Sequence, residues 1–460
     1  MKAGGKAGAA GTMVCVRKPV DWPVAALLAA PFAIGVAALR GLTATMPTYH
    51  GGDEFSYHLP TIEQFAGQLP TPDLVDYPAA QTPLYHLLVA GWGELAGMEL
   101  WRLRIVGLLA SYLAVLVLFA LLRRTTGLSR GPAAGMALVF ALSPYVFGQS
   151  FILATDNLGL LFALLAVERF AAFDRRVSRD RSLAPFAAAC GWLGLALLTR
   201  QSYVWLGLFG GLWLLRTQQL GRAELAAGTG LLLIAALPFA ALVVAWGGLV
   251  PVGGDPASCG LCAPQAGRLG WRDVSPLRGP LFALAVLGFY GTLLFARPLW
   301  RGARRRIALS GPGVLRPWLL TAAWGATAGV ALLLVVPMAQ GTGDEGWIWR
   351  LARGGPAPLG SAWVFWTLVP AGGALAALGV RRLGWRSLPV VLGTAFLLAQ
   401  LATRLPYQKY FDPFVLLVCL LALRPGDLRD RRDAIGPLLV VLASLAYVAA
   451  FAFGLVLVES

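Results

Sequence analysis

Residues 100–122 read LWRLRIVGLLASYLAVLVLFALL, and Arg123 and Arg124 follow at once. The charges of this run, Arg102 and Arg104, sit at one end, and everything after Arg104 is apolar or small. As a helix rising about 1.5 Å per residue, such a run crosses the roughly 30 Å of hydrocarbon in a bilayer. Similar runs lie on both sides of it. With 58% hydrophobic residues and a mean hydropathy of +0.69, the chain is too apolar for a soluble globule. The pattern predicts an all-α integral membrane protein: one polytopic bundle over residues 1–460, with no second soluble domain and no solenoid repeat. About thirteen spans are expected, at 23–42, 100–122, 131–148, 151–171, 184–199, 203–216, 225–249, 279–297, 319–339, 360–380, 388–404, 411–424 and 435–457. Those at 203–216 and 411–424 are short for a bilayer. The segment 84–97, broken by Gly91, Gly93 and Glu94, reads as an interfacial helix instead.

The formal charge of +16 is not the footprint of a nucleic-acid binder, because the basic residues cluster in short connections between apolar runs. With the N-terminus in the cytoplasm and sides alternating, most of the 38 Lys and Arg fall inside, as the positive-inside rule requires. The Arg304–Arg306 run is then a cytoplasmic anchor. The first apolar run lacks a cleavage site and reads as a membrane anchor. The loops 43–99, 250–278 and 340–359 and the turn near Arg404 fall outside. A multi-pass protein of a plasma (inner) membrane is expected, its working site on the extracytoplasmic face.

Residues 51–86, GGDEFSYHLPTIEQFAGQLPTPDLVDYPAAQTPLYH, contrast with all this. They hold two of the three histidines and the acids Asp53, Glu54, Glu63, Asp73 and Asp76, without a single Lys or Arg. Phe55, Leu59, Ile62, Phe65 and Leu69 recur at helical spacing, so an amphipathic helix on the membrane surface is expected. Glu54 and His58, four apart, would share its polar face. Asp53 stands where an N-cap stands, and it is also a carboxylate held at the membrane surface, available for chemistry. Asp73 and Asp76, among prolines, read as turn residues.

Ionisable groups inside or bordering apolar runs are costly and point to function. Asp156, in FILATDNLGLLFALL, is one; it reads equally as a cavity-facing functional group or as an Asp at the helix–water boundary making local hydrogen bonds. Arg200, in LALLTRQSYVW, is basic on the outer side, against the charge bias. Arg404 and Lys409, in LATRLPYQKYFDPFVLL with Tyr407, Gln408 and Tyr410, repeat the pattern. Each alone could be snorkelling to lipid headgroups. Together, on two hairpins facing an acidic loop, they form a phosphate site, since guanidinium and ammonium groups pair with phosphate oxygens. Cys259 and Cys262 read as a local disulfide rather than a metal site. Asp344, Glu345, Trp347, Trp349 and Arg350 form an acidic–aromatic loop that reads as interfacial, with contact to a sugar as the alternative.

DEFSYHLPTIEQF, QTPLYH (Gln81 to His86), ATDNLGLLFAL, RQSYVW (Arg200 to Trp205) and RLPYQKYFDPFVLL occur in an order that resembles GT-C glycosyltransferases over most of the chain. Within them the motifs are most similar to the α-1,2-glucosyltransferase that adds the terminal glucose of the lipid-linked N-glycan precursor. Ser202-Tyr203 stands where that family has Thr-Asn. Leu84 follows Pro83 without the family's Gly, and the DE-to-His gap is one residue longer. The Ala-, Gly- and Arg-rich composition is that of a GC-rich bacterium. The resemblance implies a hexose donor carried on polyprenyl phosphate, an acceptor that is a glycan or lipid-linked, transfer at the outer face, and inversion. No cofactor is implied. Metal dependence differs among such enzymes, and the carboxylates here are too dispersed to argue for a cage.

The residues support the same chemistry by themselves. Polyprenyl phosphate leaves as a stabilised anion, so the reaction needs one base for the acceptor proton and cations for the phosphate. Asp53 is the expected base, with Glu54 as second candidate. Arg200, Arg404 and Lys409 are expected at the donor phosphate, and His58, Gln81, Tyr85, His86, Asp156, Gln201 and Tyr410 around the sugar or acceptor. A transporter or lipid-linked-sugar flippase is the competing class; it would show helix-broken segments in two related halves, and none are evident. A non-catalytic scaffold is the third.

Overall fold

The computed structural model of the chain describes residues 21–39, 42, 52–180, 182–217, 219–254, 275–338, 346–403 and 406–452. Among them there is no strand. The helices are α1 (Trp22–Ala38), α2 (Leu59–Gln68), α3 (Leu84–Ala96), α4 (Leu100–Thr125), α5 (Arg130–Ala141), α6 (Pro144–Gly148), α7 (Asp156–Asp180), α8 (Ala184–Thr199), α9 (Val204–Leu215), α10 (Arg222–Trp246), α11 (Arg278–Ser310), α12 (Arg316–Val335), α13 (Trp347–Arg353), α14 (Trp363–Leu383), α15 (Leu388–Ala399), α16 (Asp412–Ala422) and α17 (Ile435–Ala452). The chain is therefore an all-α, multi-pass membrane protein. Arg404, Cys259, Cys262, Asp344 and Glu345 lie outside the described residues.

Length and apolarity mark five helices as able to cross a membrane by themselves: α4, α10, α11, α12 and α14. A sixth arises if the bent α5–α6 pair counts as one span. The expected count of about thirteen spans is not confirmed among the described residues, and two of the runs are interrupted for local reasons. Ser143 takes an extended conformation before Pro144, which cannot continue the hydrogen-bond ladder, and the 131–148 run bends by 66°. The 151–171 run begins extended at Ile152, and its helix starts only at Asp156. Three more apolar helices, α1, α8 and the 388–402 segment, are short.

Helices in lipid gain little from the hydrophobic effect and associate through close packing instead. That is visible where α14 meets its neighbours. A methyl group on Gly372 would lie 1.9 Å from the Leu284 carbonyl oxygen of α11, and one on Gly288 2.0 Å from that of Leu368. Gly325 of α12 and Gly373 of α14 make the reciprocal approach, each with 2.3 Å between a built Cβ and the other's carbonyl oxygen. These glycines let three helices stack backbone to backbone.

The loop that follows α1 is bound into the bundle rather than laid on its surface. A π-helical turn, Glu54–His58, leads into α2. Glu54 and His58 do not share a solvent face as expected: Glu54 is fully buried and His58 nearly so; of the expected apolar stripe, Leu59, Ile62 and Phe65 pack inward, while Phe55 and Leu69 at its ends are exposed. The Glu54 carboxylate accepts from Arg104 Nε at 2.8 Å, from Arg104 Nη2 at 2.6 Å and from the Leu153 amide at 2.8 Å. Farther along, Thr82 Oγ1 donates to the Leu197 carbonyl at 2.8 Å, and Trp246 Nε1 donates to the Leu74 carbonyl at 2.7 Å. Asp73 is a turn residue as expected, its Oδ1 accepting from the Val75 amide at 2.8 Å. Trp349 departs from the interfacial reading. It is buried and stacked on Phe282 with ring centroids 5.2 Å apart.

Candidate active site

Asp53 ends up one residue before the buried Glu54 strut, and its side chain caps nothing. Successive residues on a helix point about 100° apart, so a helix that buries Glu54 turns Asp53 sideways into a cavity. There its Oδ2 accepts from Lys409 Nζ at 3.3 Å, a contact between residues 356 apart in sequence. Lys409 rides on the short turn Gln408–Tyr410, and a buried network holds that turn. Gln408 Nε2 donates to Asp412 Oδ1 at 2.9 Å, and Gln408 Oε1 accepts from the Ile348 amide at 2.9 Å. Tyr290 of α11 donates to the other Asp412 oxygen, and Trp349 Nε1 donates to the Pro406 carbonyl at 3.1 Å.

The second ion pair beside the first comes from another pair of elements. Arg200 closes α8 in an extended conformation, which throws its side chain back toward the start of α7. It meets Asp156 Oδ2 at 2.7 Å and donates to Thr155 Oγ1 at 3.2 Å. The Arg200 guanidinium also lies over the Tyr410 ring, 4.3 Å from its centroid, and Lys409 Nζ lies 5.3 Å from the same centroid. One tyrosine therefore separates two cations, each with its own carboxylate.

Burial works against both charges, but their partners outweigh it. Tyr410, Asp53 and Asp156 hold the Lys409 ammonium above its ordinary range, and Asp156, Tyr410 and Tyr203 raise Arg200 likewise. Both cations stay charged at any working pH.

These side chains line two joined hollows. The smaller, about 380 Å³, is bounded by Asp53, Tyr57, His58, Gln81, Asp156 and Lys409, among others. The larger, about 900 Å³, shares Gln81, Gln149, Asp156, Arg200, Lys409 and Tyr410 with it. It continues along an apolar arm walled by Leu160, Val204, Trp205, Phe396, Pro413 and Phe414. Gln81 Oε1 is buried at this junction with no protein partner. A buried amide oxygen without a donor is costly, and a sugar hydroxyl would supply one.

The other expected residues fall around this cleft at different depths. Gln201 lines the larger hollow, and its Nε2 donates to the Ala80 carbonyl at 2.6 Å. His58 faces the smaller hollow, with Nδ1 2.9 Å from His86 Nε2 behind it. His86 and Tyr85 are fully buried and do not bound either hollow; the Tyr85 hydroxyl accepts from the Ala154 amide at 3.2 Å. They shape the wall rather than touch its contents. Glu54, the second candidate base, has its oxygens committed to Arg104 and Leu153, which is the geometry of a strut. Gln149, Asn157, Gln400 and Thr403 also line the cleft and were not singled out from the sequence. A search for lone polar residues in or beside apolar runs would have found them. Among the described residues no three His, Cys, Asp or Glu converge as metal ligands.

Residues 80–246 match the family described as dolichyl-phosphate-mannose-protein mannosyltransferase. The match takes in Gln81, Asp156, Arg200 and Gln201 and ends at the last residue of α10. Its description names a mannosyltransferase, where the sequence motifs resemble a glucosyltransferase. Two solved structures match over most of this chain. ArnT from Cupriavidus metallidurans bound to undecaprenyl phosphate is 15% identical, with 95% of this chain and 65% of that one covered and a TM-score of 0.47. The Archaeoglobus fulgidus oligosaccharyltransferase in its apo form is 14% identical, with 94% and 55% covered and a TM-score of 0.49. The chain thus spans about two thirds or less of these two proteins. No curated protein matches the chain.

The buried histidines give this site a pH signature. Burial, then the nearby Arg200 and Lys409 charges, lower His58 to about 3 from 6.5. Burial and His58 lower His86 as well. At neutral pH both rings are uncharged, so His58 adds no penalty above about pH 6.5. Below that the unfolded chain takes the proton first, and the penalty grows by about 1.4 kcal/mol per pH unit until the folded ring titrates. The unfolding temperature of the detergent-solubilised protein is expected to fall between pH 7 and pH 5. His58→Gln should flatten that slope; an unchanged slope would rule out the buried neutral imidazole as its cause.

Proposed function

We propose that this chain is a membrane glycosyltransferase. It moves a hexose from a polyprenyl-phosphate carrier to a hydroxyl of a glycan or lipid-linked acceptor at the outer face, with inversion. The observation that carries this reading is the convergence of Asp53, Lys409, Tyr410, Arg200 and Asp156 on one cleft with an apolar arm. The match of residues 80–246 to the mannosyltransferase family supports the lipid-phosphate donor.

The chemistry follows from which end of the cleft is greasy. A polyprenyl chain belongs in the arm walled by Trp205, Phe396 and Phe414, which brings its phosphate to Arg200 and Lys409. The sugar then projects toward Gln81 and the smaller hollow. There Asp53 takes the acceptor proton, the acceptor oxygen bonds to the anomeric carbon, and the carbon–oxygen bond to phosphate breaks. The electron pair leaves on the phosphate, whose charge rises as the bond weakens; Arg200 and Lys409 meet that charge. A protonated Asp53 no longer attracts Lys409, so the proton transfer frees the ammonium for the phosphate at the moment it is needed. His58, neutral at pH 7, is left as a wall of the acceptor pocket.

Radiolabelled polyprenyl-phosphate hexose given to the purified protein in vesicles tests the reading. Label appearing in an acceptor glycan or lipid is the expected result. Label crossing the bilayer still on its carrier would mark a flippase, and neither outcome would mark a scaffold; both overturn the proposal.

A further inference from the structure

A second cavity, apolar over most of its wall and edged by arginines, lies at the other end of the bundle from the cleft just described. Its walls come from the far end of α11 (Trp300, Arg301, Arg305, Arg306), the start of α12 (Trp318, Leu319), Arg382 near the end of α14, and Arg429. The near end of α11 packs on Gln400 of the first cleft: a Cβ on Gly279 would lie 2.4 Å from the Gln400 carbonyl oxygen. Between Gly279 and Arg301 the helix rises roughly 30 Å, about the thickness of the hydrocarbon. The two sites therefore address opposite leaflets.

The arginines here divide into two sets. Arg301 and Arg382 are structural: Arg301 pairs with Asp433, and Arg382 Nη2 meets both Asp427 oxygens at 2.7 Å. Among the described residues, Arg305, Arg306 and Arg429 form no ion pair, and Arg306 lies over the Trp318 ring, 4.0 Å from its centroid. Three guanidiniums that pair with no carboxylate thus share one hollow of about 1630 Å³, whose own acid, Asp427, is taken by Arg382. Beside it runs an apolar crevice of about 800 Å³ between α11, α14, α15 and α16, lined by Leu287, Phe295, Leu375, Leu397 and Val418, among others. Leu299, Leu378 and Arg382 belong to both walls, so the two hollows adjoin. A basic chamber opening onto a hydrocarbon-lined crevice matches a phosphate joined to an acyl chain, and guanidinium groups suit phosphate oxygens. Basic pockets between transmembrane helices are known to hold anionic headgroups.

We propose that this paired cavity is a binding site for one anionic glycerophospholipid of the leaflet opposite the catalytic cleft. The headgroup phosphate lies among Arg305, Arg306 and Arg429, and one acyl chain fills the α11–α14–α15–α16 crevice. The proposal does not depend on what the chain catalyses.

Native mass spectrometry of the detergent-purified protein, titrated with phosphatidylglycerol or phosphatidylcholine, tests it. Phosphatidylglycerol should bind at least about tenfold more tightly, and the triple change Arg305→Gln, Arg306→Gln, Arg429→Gln should abolish that preference. The charge-conserving triple change to Lys should retain most of it, which separates loss of charge from loss of fold. Equal binding of the two lipids, or an unchanged preference in the Gln variant, would overturn the proposal. So would displacement of the lipid by millimolar inorganic phosphate, which would mark a site for soluble anions. Tighter binding of undecaprenyl phosphate than of phosphatidylglycerol would also overturn it, by assigning the crevice to a carrier lipid.

Discussion

Asp53→Asn is expected to lower the rate of sugar transfer by about 10²- to 10⁴-fold, the range that a positioned general base contributes. The substitution keeps shape and removes the proton acceptor. Donor affinity should not fall, because the proposed phosphate ligands Arg200 and Lys409 are kept and Lys409 loses its competing carboxylate. The measurement is single-turnover transfer at saturating donor, with donor binding determined separately. Asp156→Asn is the natural control, since Asp156 lines the same cleft but is paired with Arg200 at 2.7 Å on the phosphate side. It should leave a much larger residual rate. Full activity in Asp53→Asn would remove Asp53 from the mechanism, and a greater loss in Asp156→Asn would transfer the base role there.

Glu54→Ala, or its partner change Arg104→Ala, should cost about 3–5 kcal/mol of stability, because each strands one charge of a buried pair. Glu54 and Arg104 are both essentially inaccessible, and they tie the π-helical turn to α4. Arg104 also donates to the Leu42 carbonyl at 2.6 Å, so one guanidinium anchors two parts of the outer loop. Replacing both residues together, Glu54→Leu with Arg104→Met, should recover a large share of that loss, since an apolar pair of similar volume avoids the desolvation of two ions. Unfolding temperature and the yield of monodisperse protein report the outcome. A Glu54→Gln variant that keeps its unfolding temperature yet loses transfer would contradict the strut and restore Glu54 as a base.

These two neighbours show where sequence reading stops. The acidic loop was legible as a candidate, because a cluster of carboxylates without a lysine or arginine is conspicuous in a basic, apolar chain. Arg200 and Lys409 were legible too, as charges on the wrong side of the topology. What could not be read was the division of labour between Asp53 and Glu54. Adjacent residues have the same composition around them and differ only by a rotation about the helix axis. Arg104 hid for a related reason: at the end of an apolar run it looks like a charge snorkelling to the surface, whereas it reaches inward to Glu54.

Read alone, the order of residues shows that the chain is helical, crosses a membrane repeatedly and carries an acidic stretch without Lys or Arg at 51–86. Hydropathy is a sum over neighbours along the chain, so those properties are local and additive. Three-dimensional packing fixed which acid meets which cation, where the runs bend, and that apolar side chains wall one part of the polar cleft. Asp53 and Lys409 are brought together by packing between elements far apart in sequence, through buried struts such as Gln408 with Asp412 and Gly372 against Leu284. Such contacts depend on the direction of each side chain in space, which no window along the sequence contains.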